Sequence, residues 1–123
     1  MLKTIIYIAI GGAIGSVLRY LTVIAVSKFG ALQFPMATFI ANIVGCFLVG
    51  LFIGFLEKHH LSDSQLKWFL VTGFCGGFTT FSTFSVENIN YLQSNHSLMA
   101  FAYIGSSILL GLFSVWLGLF ISK

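Results

Sequence analysis

Charge is what this chain of 123 residues has least of: six Lys and Arg and three Asp and Glu, 7% of the sequence. Soluble domains carry about a quarter charged residues. With so few charges and 58% hydrophobic residues, a soluble domain of this size would leave apolar surface in water and aggregate. A soluble enzyme, a nucleic-acid reader and a disordered tail are therefore excluded. The net charge of +3 and pI near 9.1 come from scattered basic residues with no basic run or patch, so they are no nucleic-acid signal. Cysteine is scarce as well. Cys46 and Cys75 sit in apolar stretches without CxxC or zinc spacing and read as small buried hydrophobes. There is one proline, Pro35. No GxSxG, HExxH or P-loop motif and no paired intramembrane carboxylate occurs, so catalysis is not expected.

What the chain has in abundance is long apolar runs. A hydrocarbon core of about 30 Å needs roughly 20 apolar residues as helix. Four stretches qualify: Ile5–Val26, Met36–Leu56, Leu66–Val86 and Leu98–Ile121. The mean hydropathy of +1.01 agrees with a bilayer as solvent. The expected fold is an all-α integral membrane protein of one four-span domain, residues 1–123. Pro35 suits the first turn of the second helix, Ser62 or Asp63 the cap of the third, and Ser94, Asn95 or Ser97 that of the fourth. No cleaved signal peptide is expected, because Arg19 interrupts the first span. Four spans put both termini on one side, with Lys3, Lys58, Lys67 and Lys123. The other side has Lys28, toward which Arg19 leans. The positive-inside rule puts the termini in the cytoplasm.

Polar groups at bilayer depth are costly and usually face a bundle interior or a water path. In the first span, Gly11 and Gly15 form GxxxG, a helix-packing motif. Arg19 fits three readings: snorkelling to the interface, binding a carbonyl, or lending positive potential to an anion vestibule. In the second, Thr38 and Asn42 lie four apart on one face. Asn42 is either an interhelical hydrogen-bonding group or a pore-lining donor. In the fourth, Tyr103 and Ser107 are four apart, forming a hydroxyl ladder or bonding their own helix. Glu87 closes the third span near an interface, where solvation is the simplest reading. His59, His60 and His96 fall in loops.

The third span is unusual. In Gly73-Phe74-Cys75-Gly76-Gly77-Phe78-Thr79-Thr80-Phe81-Ser82-Thr83-Phe84-Ser85, glycines are followed by hydroxyls and aromatics in mid-membrane. Adjacent glycines weaken a helix, and broken backbone at this depth survives only when buried in protein or lining a cavity. Freed carbonyls there suit a small cation. A break near Gly76 to Thr79 is expected. Phe81 and Phe84, three apart, share one face, which by composition alone means packing or lipid contact.

This run closely resembles the third-helix signature of the CrcB/Fluc fluoride channels. Gly11-Gly12-Ala13-Ile14-Gly15 with Arg19-Tyr20 looks like their first-helix motif. Pro35-Met36-Ala37-Thr38-Phe39, leading to Asn42 and Gly45, looks like the second. The resemblance covers the whole chain. It implies an antiparallel, dual-topology homodimer with two fluoride pores in the cell inner (plasma) membrane. It also implies a structural sodium held by the backbone carbonyls of Gly76 and Thr79. The implied pore residues are Asn42, Phe81 and Phe84, with Thr38 on the second-helix motif and a polar track at Tyr103 and Ser107. Arg19 matches the family's first-helix arginine. One turn beyond Ser107 this chain has Gly111, with Ser106 or Ser114 as the nearest substitutes. Passive fluoride export is the implied function.

Two other readings remain. A small multidrug-type proton-coupled exporter has the same size, but neither of the first two spans contains Asp or Glu. The other is a non-transporting membrane assembly protein. The charge bias between the two sides also leaves room for an oppositely inserted heteropair in place of a homodimer.

Overall fold

The computed structural model describes residues 1–30 and 34–123, and among them every regular element is helical. Helix α1 (Leu2–Ser27) and helix α2 (Met36–Lys58) are unbroken. The third span, Gln65–Gln93, is composite. It consists of one turn of α3 (Gln65–Lys67), a π-helix (Trp68–Cys75), a turn of α4 (Gly76–Phe78), two extended residues, and α5 (Phe81–Gln93). Helix α6 (Ser97–Ser122) completes the chain. At 1.5 Å per residue, the 26 residues of α1 extend about 39 Å, enough to cross a hydrocarbon core. Four spans of this length and composition make a multi-pass membrane protein. The outer faces, with residues such as Ile10, Val17, Leu109 and Phe120, expose apolar side chains as lipid contact requires.

Two close pairings organise the bundle: α1 against the π-helix and α4, and α2 against α6. The first pairing is backbone to backbone. A Cβ on Gly77 would lie 2.5 Å from the Gly12 carbonyl oxygen, so only glycine permits this approach. The glycine motif of the first span is thus a packing face, as GxxxG motifs are in bilayers.

Several element ends differ from the sequence reading. The third span continues past Val86 to Gln93, because the polar residues beyond Val86 have partners inside the protein. Glu87 accepts from two hydroxyls, and the Asn88 side chain donates to the Phe84 carbonyl at 2.9 Å. The residue before α3 is Ser64, not Ser62 or Asp63, and its hydroxyl donates back to the Leu61 carbonyl at 2.6 Å. His96 precedes α6, while Asn95 takes a left-handed φ of 65°. Ser94 instead donates its hydroxyl to Asn90 at the end of α5.

Candidate functional site

The site is built around the interruption of the third span. Thr79 (φ −85°, ψ 159°) and Thr80 (φ −149°, ψ 123°) are extended, and helix resumes at Phe81. The break therefore falls at the end of the glycine run. Gly76 itself keeps helical angles (φ −62°, ψ −37°).

Asn42, from α2, stabilises this interruption. Its Oδ1 accepts from the Thr80 N–H at 2.8 Å, and its Nδ2 donates to the Thr80 carbonyl at 3.1 Å. One side-chain amide thus satisfies both backbone groups of a residue that is only 9% exposed, as buried backbone demands. In a continuous helix the Thr80 N–H would have bonded to the Gly76 carbonyl; Asn42 takes it away. Thr79 sends both its N–H and its hydroxyl to the Cys75 carbonyl, at 3.0 and 2.8 Å. The Thr80 hydroxyl accepts from Thr83 N–H at 3.2 Å and so caps α5. Among the described residues, no hydrogen bond outside the helices reaches the carbonyl of Gly76 or of Thr79. Gly45 makes room for the arrangement, since a Cβ there would collide with Thr79 Cγ2.

Beside the break lies a groove of about 450 Å³ between α2, the third span and α6. Asn42, Gly76, Thr79, Phe81, Phe84 and Ser107 all line it, so six residues singled out from sequence come together around one groove. Phe81 is 78% exposed on the isolated chain, and its ring centroid lies 5.9 Å from that of Phe84 at 39°. Ser107 Oγ is buried and makes no hydrogen bond among the described residues.

Behind Phe84 stands a second polar group. Phe84 meets the Tyr103 ring edge to face at 4.8 Å, and Tyr103 is fully buried. The Tyr103 phenol donates to Glu87 Oε1, and the Thr38 hydroxyl donates to Glu87 Oε2, each at 2.9 Å. Thr38 and Tyr103 therefore meet through a carboxylate that the sequence reading placed in solvent. Glu87 was hidden because a span of ordinary length would have ended at Val86. Thr80, the other missed participant, looks like any hydroxyl in the run; only a partner 38 residues away gives it a role.

Arg19 is half-buried on α1 and is not among the residues lining the groove. Ser106 donates to the carbonyl of Tyr103 at 3.3 Å, the self-bonding arrangement. Ser114 is buried but does not line the groove. Neither replaces a hydroxyl at Gly111. A Cβ on Gly111 would instead meet Cys46 Sγ at 3.5 Å.

The family model described as CrcB-like protein, Camphor Resistance (CrcB), matches residues 6–119. Among curated proteins, the chain is 57% identical over 122 residues to a fluoride-specific ion channel FluC of Flavobacterium psychrophilum, covering 99% of this chain and 98% of that protein. A protein of the same name from Campylobacter fetus is 47% identical over 121 residues, 98% of this chain and 94% of its own length. One from Azobacteroides pseudotrichonymphae is 42% identical over 123 residues, the whole of this chain and 98% of the relative.

Proposed function

The chain belongs to the CrcB family, and from that premise we propose that it is a fluoride channel whose conduction path follows the groove beside the broken third span. The observation that carries this reading is one groove lined by Asn42, Phe81, Phe84 and Ser107, whose hydroxyl makes no hydrogen bond among the described residues. Fluoride is small and strongly hydrated, so a dry path must replace its water hydrogen bonds. Ser107 has a hydroxyl hydrogen to give. Asn42 has a second amide hydrogen beyond the one given to Thr80. Phe81 and Phe84 offer ring edges, which carry the positive part of the aromatic quadrupole. The N-terminus of α5 begins at Phe81, and although the Thr80 hydroxyl caps the Thr83 N–H, the helix dipole there favours an anion. Hydrogen fluoride enters cells as the neutral acid and dissociates inside; a passive anion path lets the trapped ion leave across the plasma membrane.

An isolated chain leaves Gly76 exposed within the third span, with no described hydrogen bond outside the helices to its carbonyl. Open backbone and polar surface are not tolerated against lipid. A second copy, inserted antiparallel, covers this side in the assembly favoured here. The homodimer is preferred to a heteropair because this chain carries pore residues on both α2 and the third span. The resident cation of that assembly is sodium. Its fit rests on the carbonyls of Gly76 and Thr79, hard oxygen donors with no described partner. Two chains would supply four such oxygens, and the ion would contribute fixed positive charge. Arg19 remains assigned to a vestibule.

One observation favours a second reading. Glu87 is a carboxylate in the third span, a group that a proton-coupled exporter requires. Both its oxygens, however, are engaged by Thr38 and Tyr103. Fluoride efflux from liposomes reconstituted with the protein separates the two readings. A channel releases fluoride only when a potassium ionophore balances charge, and needs no pH gradient. Efflux that requires a proton gradient supports the exporter.

A further inference from the structure

A second groove, of about 430 Å³, lies at the end of the bundle where α2 and α6 finish and the third span starts. It shares no lining residue with the groove beside the break. Its inner part is apolar, made by Leu51, Phe52 and Phe55 of α2 and by Leu70 of the π-helix. Phe55 is 43% exposed, so this part opens to the bilayer. At the helix end the lining becomes basic, with Lys58, the last residue of α2, and His59. The His59 ring lies against that of Phe55, centroids 4.5 Å apart, which keeps the imidazole beside the apolar part. From Leu51 to Lys58 the groove follows α2 for about 10 Å. Trp68 marks the level of the basic end on the third span. It is partly exposed, and the Lys67 ammonium lies 5.9 Å from its ring centroid; Trp is enriched where a span meets the membrane–water interface.

We infer that this groove binds one anionic phospholipid, with an acyl chain along Leu51, Phe52, Phe55 and Leu70 and the phosphate at Lys58 and His59. Lys58 offers an ammonium and His59 a ring N–H. Basic pockets between transmembrane helices are where anionic headgroups bind. The carboxylates of this end do not cancel the attraction. Glu57 faces Lys123 at 3.9 Å, and Asp63 does not line the groove. A second copy of the chain fits less well. In the antiparallel assembly favoured above, the opposite end of that copy would approach Lys58. Its loops, residues 27–35 and 94–97, carry Lys28 and no Asp or Glu. Glu87, in the span behind them, already accepts from Thr38 and Tyr103. A phospholipid supplies the missing anion together with the apolar chain. Nothing in this inference depends on which groove conducts.

The test strips the full chain of lipid in mild detergent, adds phosphatidylglycerol or phosphatidylcholine, re-isolates the protein by gel filtration and counts phospholipid per chain by mass spectrometry. The expected result is retention of phosphatidylglycerol well above phosphatidylcholine, not displaced by inorganic phosphate. Lys58→Gln should lower that retention about fivefold, the effect of one basic group near an anionic surface. Leu51→Trp, which fills the groove, should lower it at least as far. Lys3→Gln should leave it unchanged: Lys3 is at the same end, where Thr4 bonds to Gln65, but outside the groove. Equal retention of the two lipids by the wild type overturns the inference and decides alone if a variant fails to fold. A loss in Lys3→Gln as large as in Lys58→Gln also overturns it, since general surface charge would then explain the binding. A Leu51→Trp protein that keeps its phosphatidylglycerol but changes oligomeric size overturns it in favour of a second copy.

Discussion

Replacing Asn42 with alanine removes the one side chain that satisfies both backbone groups of Thr80. An unsatisfied buried donor or acceptor costs about 1–3 kcal/mol. Two such groups give about 2–6 kcal/mol, and water entering from the adjoining groove should hold the loss toward the lower end of that range. Even about 3 kcal/mol is a large share of the roughly 5–15 kcal/mol by which proteins are stable. Two competing outcomes are open to the variant. Thr80 N–H can return to the Gly76 carbonyl, closing the helix, or the break can persist with both groups wet. Either outcome removes an anion donor from the groove, so fluoride flow should fall by at least tenfold. The assay pairs fluoride efflux from proteoliposomes with thermal unfolding of the purified protein. Asn42→Asp supplies the companion test: it keeps an acceptor for Thr80 N–H but sets a negative charge in an anion path. At about 4 Å and moderate dielectric, the repulsion is about 4 kcal/mol, on the order of a thousandfold in occupancy. An Asn42→Ala protein with wild-type stability and wild-type flow would refute this account of the break.

Phe81→Ile and Phe84→Ile should each slow fluoride efflux while leaving the fold intact, because Ile keeps bulk but lacks the quadrupole edge; normal flow in both would make the rings packing residues. Tyr103→Phe keeps the ring against Phe84 but deletes the donor to Glu87. It should cost about 1 kcal/mol in unfolding and lower the fluoride flow, and an unchanged melting temperature would show that this bond contributes nothing. Gly77→Ala places a methyl against the Gly12 carbonyl and should destabilise by about 1–3 kcal/mol through overpacking, read by thermal unfolding. Alanine tolerated at Gly77 without loss would contradict the backbone contact between α1 and α4.

Much of this fold is written locally. Hydropathy alone locates the spans, since few charges fall inside them and each apolar run matches a bilayer. The interruption of the third span is legible too, in glycines followed by hydroxyls. The detail of that break is not local. Gly76 stays helical, Gly77 serves the contact with Gly12, and the chain opens at Thr79 and Thr80 because Asn42 captures the Thr80 backbone from across the bundle. Periodicity shows which residues share a helix face, so Thr38 with Asn42 and Tyr103 with Ser107 were visible as pairs. It cannot show that Thr38 and Tyr103 meet at Glu87, since those bonds join residues 49 and 16 apart in sequence. Glu87 was misread for a related reason. A standard span length ended the helix before it, whereas the third span runs on to Gln93 and both Glu87 oxygens accept hydroxyls of the bundle.

The central claim is a groove that passes fluoride by replacing its hydration with a few placed donors. Its most direct test measures fluoride and chloride efflux side by side from the same proteoliposomes, with charge balanced by an ionophore. Fluoride should leave rapidly and chloride should remain, because the larger, weakly hydrated ion gains little from those donors. Comparable release of both anions, or release of neither, would contradict the account.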